Sequence, residues 1–265
     1  MPVQFQQKES YGIGDLLEIM SLLRGEGGCP WDQEQDHHTI RRNFLEETYE
    51  VLEAIDQEDS ELLREELGDV LLQVVFHAQL EREAGRFDFS DVCDGICKKL
   101  ILRHPHVFGA TQVSGSGEVT QNWDQIKAAS KGQTTAAQML ESVPRVLPAL
   151  MRSDKVQSRA AKAGFAYPDL GWAMEALQSE LGELQEAAAS GCGERTGEEL
   201  GDLLFAAVNV ARMLGQDPEE CLDKSCEKFI GRFTKVEQLA REQGTDLKSA
   251  PVERLVALWQ EAKRM

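Results

Sequence analysis

Glu47 and Glu50, followed by Glu66 and Asp69, have the residue types and spacing of a cation site built from two helices. Positions three apart on an α-helix are about 300° apart, so each pair lies on one face within one turn. Two such helices folded together would aim four carboxylates at one point. The arrangement returns 133 residues later as Glu180, Glu183, Glu199 and Asp202, again with 19 residues from the first to the third carboxylate. Carboxylates held so close cannot all stay ionised without compensation. A divalent cation supplies it, and all-oxygen ligation selects hard ions, Mg²⁺ first and Mn²⁺ as a substitute. One such pair would read as a solvated acidic helix face. Pairs on successive helices, embedded in apolar residues and present twice, argue against that reading. A di-iron bundle would need Glu-x-x-His, and neither ELGD segment (66–69, 199–202) continues to a histidine at that spacing. The chain also lacks GxxxxGK[ST] and GxGxxG, so no glycine loop cradles a phosphate.

Basic and aromatic residues recur after each ELGD. Lys99/Arg103 is matched by Lys228/Arg232, and Trp123/Lys127 by Trp259/Lys263. Cations at i and i+4 share a helix face and suit phosphate oxygens, while a tryptophan suits a base or the edge of a core. Arg195, just before the second ELGD, is a weaker candidate. Asn209 lies two turns beyond Asp202 on the same face, where the first copy has Phe76. An amide suits nucleotide contact and a phenyl ring suits packing, which tilts the main activity toward the second half. His37, His38, His77, His104 and His106 have no counterparts in the second half and are assigned to core, cap or loop roles.

The elements that carry these residues read as helices. Ile13, Leu16, Leu17, Met20 and Leu23 mark one helix, ended by GEGGCPWDQEQD. A second begins near Thr39, a third runs from about Glu61 to Glu83, and a fourth, capped by Ser90, reaches Arg103. After a loop made by HisProHis (104–106) and a Gly/Ser-rich segment at 109–117, residues 122–129 form a short helix. In the second half, helices are expected over 149–163, 171–190, 198–214, 218–242 and 250–264. Aligned without gaps, 47–80 and 180–213 share 13 of 34 positions, where ordinary residue usage gives roughly two or three. Gly68 and Gly201, each costing about 1 kcal/mol in mid-helix relative to Ala, suggest close helix packing. The fold expected is all-α, with two tandem, duplicated helical-bundle domains at 1–130 and 138–265 joined by a linker at 131–137.

A formal charge of −18 repels nucleic-acid backbones and argues against a polymer-binding role. No stretch approaches the roughly 20 apolar residues of a membrane span. MPVQFQQKES lacks the features of a signal peptide. Six cysteines without a CxxC pair read as reduced structural thiols, and the compartment expected is the cytoplasm.

With Glu46 included, EExxE at 46–50 and ExxD at 66–69 resemble the MazG family of nucleoside triphosphate pyrophosphohydrolases, within the all-α NTP pyrophosphatase superfamily. The second copy departs at Ser179, where the motif begins with Glu. GCPWD (28–32), RHPHVF (103–108), ALMRSDKVQ (149–157) and EKFIGRF (227–233) extend the resemblance over nearly the whole chain. It implies Mg²⁺-dependent hydrolysis of NTPs or dNTPs to the monophosphate and pyrophosphate, in control of the nucleotide pool. The eight carboxylates would hold the metal, and Glu180, Glu183, Glu199 and Asp202 would be the catalytic set. Asn209, Lys228, Arg232, Trp259, Lys263 and Arg195, with Lys99, Arg103, Trp123 and Lys127 in the first copy, would meet the nucleotide. Helical units of this size often complete their cores by pairing, so a homodimer is expected. Two rivals are an enzyme of the same superfamily with a narrower substrate and a helical nucleotide-sensing or partner-binding protein without turnover.

Overall fold

The computed structural model describes residues 5–130, 132 and 134–264. Among them there are helices and no strand. Two compact units divide the chain at Lys127/Ala128. Residues 131 and 133 of the expected linker lie outside the described residues, and a helix begins at Ala136, inside the linker's expected span.

The first unit contains α1 (Ile13–Arg24), α2 (Pro30–Glu34), α3 (Arg41–Asp56), α4 (Ser60–Glu83), α5 (Phe89–Arg103) and α6 (Pro105–Phe108). Helix α7 (Ser116–Ser130) carries the chain across the division. Helices α3 and α4 form an antiparallel hairpin. Asp59 closes the turn between them by accepting the free N–H groups of Glu61 and Leu62. Asp88, rather than Ser90, caps α5, and the Ser90 N–H is one of its donors. A carboxylate one position before the first helical turn reaches these N–H groups, which Ser90, already inside the helix, cannot do. Helix α1 packs on α4. The core between them is Met20, Ile40, Val75 and Phe76, flanked by Leu16, Leu17, Leu72, Leu80 and Phe89.

The second unit holds α8 (Ala136–Glu141), α9 (Ala149–Lys162), α10 (Leu170–Ser190), α11 (Gly193–Met213), α12 (Pro218–Glu242) and α13 (Val252–Ala262). Helices α10 and α11 repeat the hairpin of α3 and α4, and α9 packs on α11 as α1 does on α4. Gly191, at φ 73°, ends α10 in the left-handed conformation that glycine adopts without a Cβ penalty. Asp217 caps α12, whose Pro218 occupies the first turn, where no N–H is missed. Val236, Leu239 and Ala240 of α12 form a second core with Leu258 and Ala262 of α13.

Two expectations need correction. The loops expected at 25–36 and from His104 to Gly117 each contain a short helix begun by proline, α2 and α6, and α7 begins at Ser116, inside the second of them and before the expected start at 122. Gly68 and Gly201 are not sites of close packing: a Cβ built at either meets nothing within 4 Å, and both are exposed. Apolar surface also stays open on the hairpins, including Leu45, Tyr49 and Leu52 on α3 and Trp172, Met174 and Leu181 on α10.

Histidine holds the start of α3 to α4. His37 Nε2 lies 2.6 Å from Glu81 Oε1, and His37 Nδ1 lies 2.7 Å from His77 Nδ1. The rings are parallel within 3° with centroids 5.0 Å apart. A ring radius of about 1.2 Å on each side of a 2.7 Å contact reproduces that centroid distance, so the rings lie edge to edge and share one proton. The Arg86 guanidinium, with His37 adding to it, holds the Glu81 carboxyl at about 2. His77 sits below the ordinary histidine value, first through burial and then through His37. A base with a depressed folded pKa stabilises the fold above its unfolded value, about 6.5, and loses that contribution as pH falls below it. Urea unfolding should therefore show stability dropping from about pH 7 to about pH 5, and His77→Phe should reduce that slope.

Candidate active site

Each hairpin brings carboxylates to one point. In the first, one oxygen each from Glu47, Glu66 and Asp69 fall within 4.8 Å of one another. In the second, Glu180, Glu199 and Asp202 do the same. The third residue of each set is one turn beyond the second, so α4 and α11 supply two ligands and α3 and α10 one. Burial raises Glu47, and Glu50, Asp69 and Glu66 push it further. Burial likewise raises Glu66, with Glu50 and Asp69 next. Glu180 is raised by burial first, then by Glu183, Asp202 and Glu199. Negative charge is thus accumulated beyond what Arg195, the cation beside Glu199 in the second set, can offset, which is the condition that an oxygen-ligated divalent cation relieves.

Glu50 and Glu183 border these sets without joining them. Glu183 accepts from the Ser179 hydroxyl at 3.2 Å. Ser179 replaces the glutamate that opens the first motif, Glu46, and Glu46 turns away to pair with Arg42 Nε at 2.8 Å. The departure at Ser179 therefore removes nothing from the three-carboxylate arrangement.

In the second unit the cluster opens onto a cleft of about 440 Å³. Glu180 and Asp202 line it at one end, and Asn209 and Arg212 line it further along α11. Val156, Ala160 and Phe205 supply apolar wall, and the 164–167 loop adds Phe165 and Tyr167. Phe165 is 85 % exposed. Such a cleft, apolar with a few convergent polar groups, is the usual form of a small-molecule site. Gln157, 6 % exposed, donates to the Phe205 carbonyl at 2.8 Å and ties α9 to the cleft-facing side of α11. In the first unit the place of Asn209 belongs to Phe76, 4 % exposed in the core. The Arg24 guanidinium lies 5.3 Å from that ring and is fixed by Glu83 and by the Asp32 and Gln35 carbonyls. The first unit keeps the carboxylates and fills this position of the cleft.

The basic residues divide. Arg195 Nε reaches Glu199 at 3.4 Å and is in direct contact with the cluster. Lys228 and Arg232 on α12, with Trp259 on α13 and Lys263 at its C-terminus, are absent from the cleft lining. Trp259 packs against the second core with its ring 5.1 Å from Phe229. In the first unit Arg103 lies 5.3 Å from the Trp123 ring, and His104 meets the same ring at 4.8 Å. Lys99 is exposed and Lys127 half-buried. Arg212 and Gln157 were not anticipated as cleft residues. The signal for Arg212 was present, since it lies three residues beyond Asn209 and so on the same face.

Paired antiparallel helices with three converging carboxylates, present twice in one chain, define an all-α class with candidate metal sites rather than a glycine-loop or Rossmann nucleotide fold. Comparison with known proteins gives the family. The MazG nucleotide pyrophosphohydrolase domain matches at residues 35–108 and again at 172–237, one copy per unit. A nucleoside triphosphate pyrophosphohydrolase of Escherichia coli K12 is 46 % identical over 255 residues, covering 95 % of this chain and 97 % of its own. The nucleoside triphosphate pyrophosphohydrolase/pyrophosphatase MazG of Thermotoga maritima is 43 % identical over 249 residues, 94 % of each chain. A Mycolicibacterium smegmatis relative is 41 % identical over 152 residues, 57 % of this chain and 46 % of its own. The chain belongs to the MazG nucleotide pyrophosphohydrolase family. Trp123, Lys127, Trp259 and Lys263 fall outside the matched segments.

A carboxylate with a raised pKa penalises the folded state once it ionises, at pH values above its ordinary range. Without divalent ions, Glu180→Gln should therefore raise the thermal midpoint of the chain. With Mg²⁺ present the order should reverse, because the parent gains ligand stabilisation that the variant lacks. Scanning calorimetry with and without Mg²⁺ at neutral pH checks both signs.

Proposed function

We propose that the chain hydrolyses nucleoside triphosphates, ribo- or deoxyribo-, to the monophosphate and pyrophosphate in a Mg²⁺-dependent reaction that serves the nucleotide pool. The observation that carries this reading is the single cleft shared by Glu180, Asp202 and Asn209. Glu180, Glu199 and Asp202 would hold the cation. Bound there, Mg²⁺ would neutralise phosphate charge and increase the acidity of water at the site. Glu183, at the cluster's edge and oriented by Ser179, accepts the proton of the water that attacks the α-phosphorus. Arg195 stands beside Glu199 and offsets charge on the departing pyrophosphate. The cleft walls receive the nucleoside, and Asn209 meets its polar edge.

The second unit is the main catalyst in this reading. The first keeps Glu47, Glu66 and Asp69 but buries Phe76 where Asn209 stands, which favours metal binding with little or no nucleotide turnover there. A homodimer fits the exposed apolar residues Phe229, Ile230 and Phe233 of α12. Lys228 and Arg232 share that helix, so pairing through it would bring both cations to the interface. Lys263 and Trp259 on α13, and Lys99, Arg103, Trp123 and Lys127 in the first unit, remain proposed phosphate or base contacts. No helix among the described residues is long and apolar enough to cross a membrane. A cytoplasmic enzyme without nucleic-acid partners agrees with the net charge of −18.

Incubation of the chain with Mg²⁺ and a panel of NTPs and dNTPs, followed by chromatography of the products, should yield monophosphate and pyrophosphate. Diphosphate and orthophosphate would reject attack at the α-phosphorus. No turnover, with nucleotide still bound, would leave a sensing protein. Glu180→Gln or Asp202→Asn should lower kcat about 100-fold or more, since a metal ligand supports several kcal/mol of transition-state stabilisation. Glu47→Gln should cost far less.

A further inference from the structure

We propose that Asn209, oriented by Arg212, reads the base of the nucleotide and makes the site prefer keto bases (guanine, uracil, thymine) over amino bases (adenine, cytosine). This rests on the reading of the second-unit cleft as the nucleotide site. Arg212 Nη2 donates to Asn209 Oδ1 at 2.7 Å. A guanidinium can only donate, so the Asn209 amide cannot turn over: its oxygen faces Arg212 and its Nδ2 faces away. No hydrogen bond from Nδ2 occurs among the described residues, and Nδ2 is not among the enclosed, unpartnered atoms. It is therefore a donor open to the cleft that Asn209 lines.

Gln157, which lines the same end, does not compete for this role. Gln157 spends its amide nitrogen on the Phe205 carbonyl and the Ser153 hydroxyl, and its Oε1 is enclosed. Arg212 Nε is also enclosed and without a partner. In this proposal Arg212 acts through Nη2 as a positioning residue, and Asn209 Nδ2 is the group that the base meets. Asn209 stands seven residues beyond Asp202, about 10 Å along the helix, a separation that a nucleoside spans. Where guanine, uracil and thymine present a carbonyl oxygen, adenine and cytosine present an amino group. An N–H donor meets the first with a hydrogen bond and the second with N–H against N–H. A buried mismatch of this kind costs more than the loss of an ordinary hydrogen bond.

The test compares kcat/KM for GTP against ATP and for UTP against CTP in the intact chain with Mg²⁺. The parent should favour the keto partner in each pair by about tenfold. Asn209→Asp presents only acceptors to the base, keeps the contact with Arg212, and should invert both ratios. Arg212→Met frees the amide to rotate and should bring both ratios toward one, while Arg212→Lys should restore part of the preference. Ratios near one in the parent, or ratios that Asn209→Asp leaves unmoved, overturn the proposal while pyrophosphohydrolysis stands. If Asn209→Asp changes the NTP to dNTP ratio instead, Asn209 contacts the sugar and the base assignment fails. Calorimetric binding of GTP and ATP with Ca²⁺ in place of Mg²⁺ reads the same preference without turnover, which separates failure of this inference from failure of the catalytic reading.

Discussion

Mutual repulsion among three carboxylates is the constraint on which each unit depends. Glu180, Glu199 and Asp202 converge within 4.8 Å, and nothing in the hairpin neutralises them apart from Arg195 at the rim. A fold that must hold such a set cannot rely on the site itself for stability. It has to draw on the packing of α9 against α11 and on the α12–α13 core away from the cluster. The first unit solves the same problem with its core of Met20, Ile40, Val75 and Phe76. Duplicated hairpins thus carry the same electrostatic load on differently built supports.

The difference between the copies follows from one position on α4 and α11. At Phe76 the helix contributes an aromatic ring to a closed core, with Arg24 held against it by Glu83. At Asn209 the same face carries an amide, the ring is gone, and a cleft reaches the carboxylates. In the proposed function, metal ligation and nucleoside binding would be separable properties of this hairpin, because Asn209 lies two turns beyond Asp202 on α11.

Sequence alone revealed the helical class and the duplication. Of the eight carboxylates it singled out, six converge in threes while Glu50 and Glu183 stay at the edge, since spacing within one helix fixes the face but not the reach of a side chain. Asn209 was legible because the same spacing fixes its face. Arg195 was legible too, as the i,i+4 partner of Glu199 on α11. The place of Lys228 was not, because it depends on how α12 packs, which no local spacing encodes. The clearest misreading concerned Gly68 and Gly201. Retention of a costly mid-helix glycine in both copies pointed to close helix contact, yet neither meets a neighbour within 4 Å. The departure at Ser179 is explained by the first copy, where Glu46 is directed by its helical position to Arg42 rather than to the carboxylate set.

The cleft also has a mechanical meaning for the second unit. Walls that face an opening of about 440 Å³ lack partner atoms on one side and forfeit the dispersion contacts that the first unit obtains from Phe76. A molecule seated there would return those contacts as well as its own polar ones. Recognition and folding of the second unit are then linked, each measuring how completely the same volume is filled.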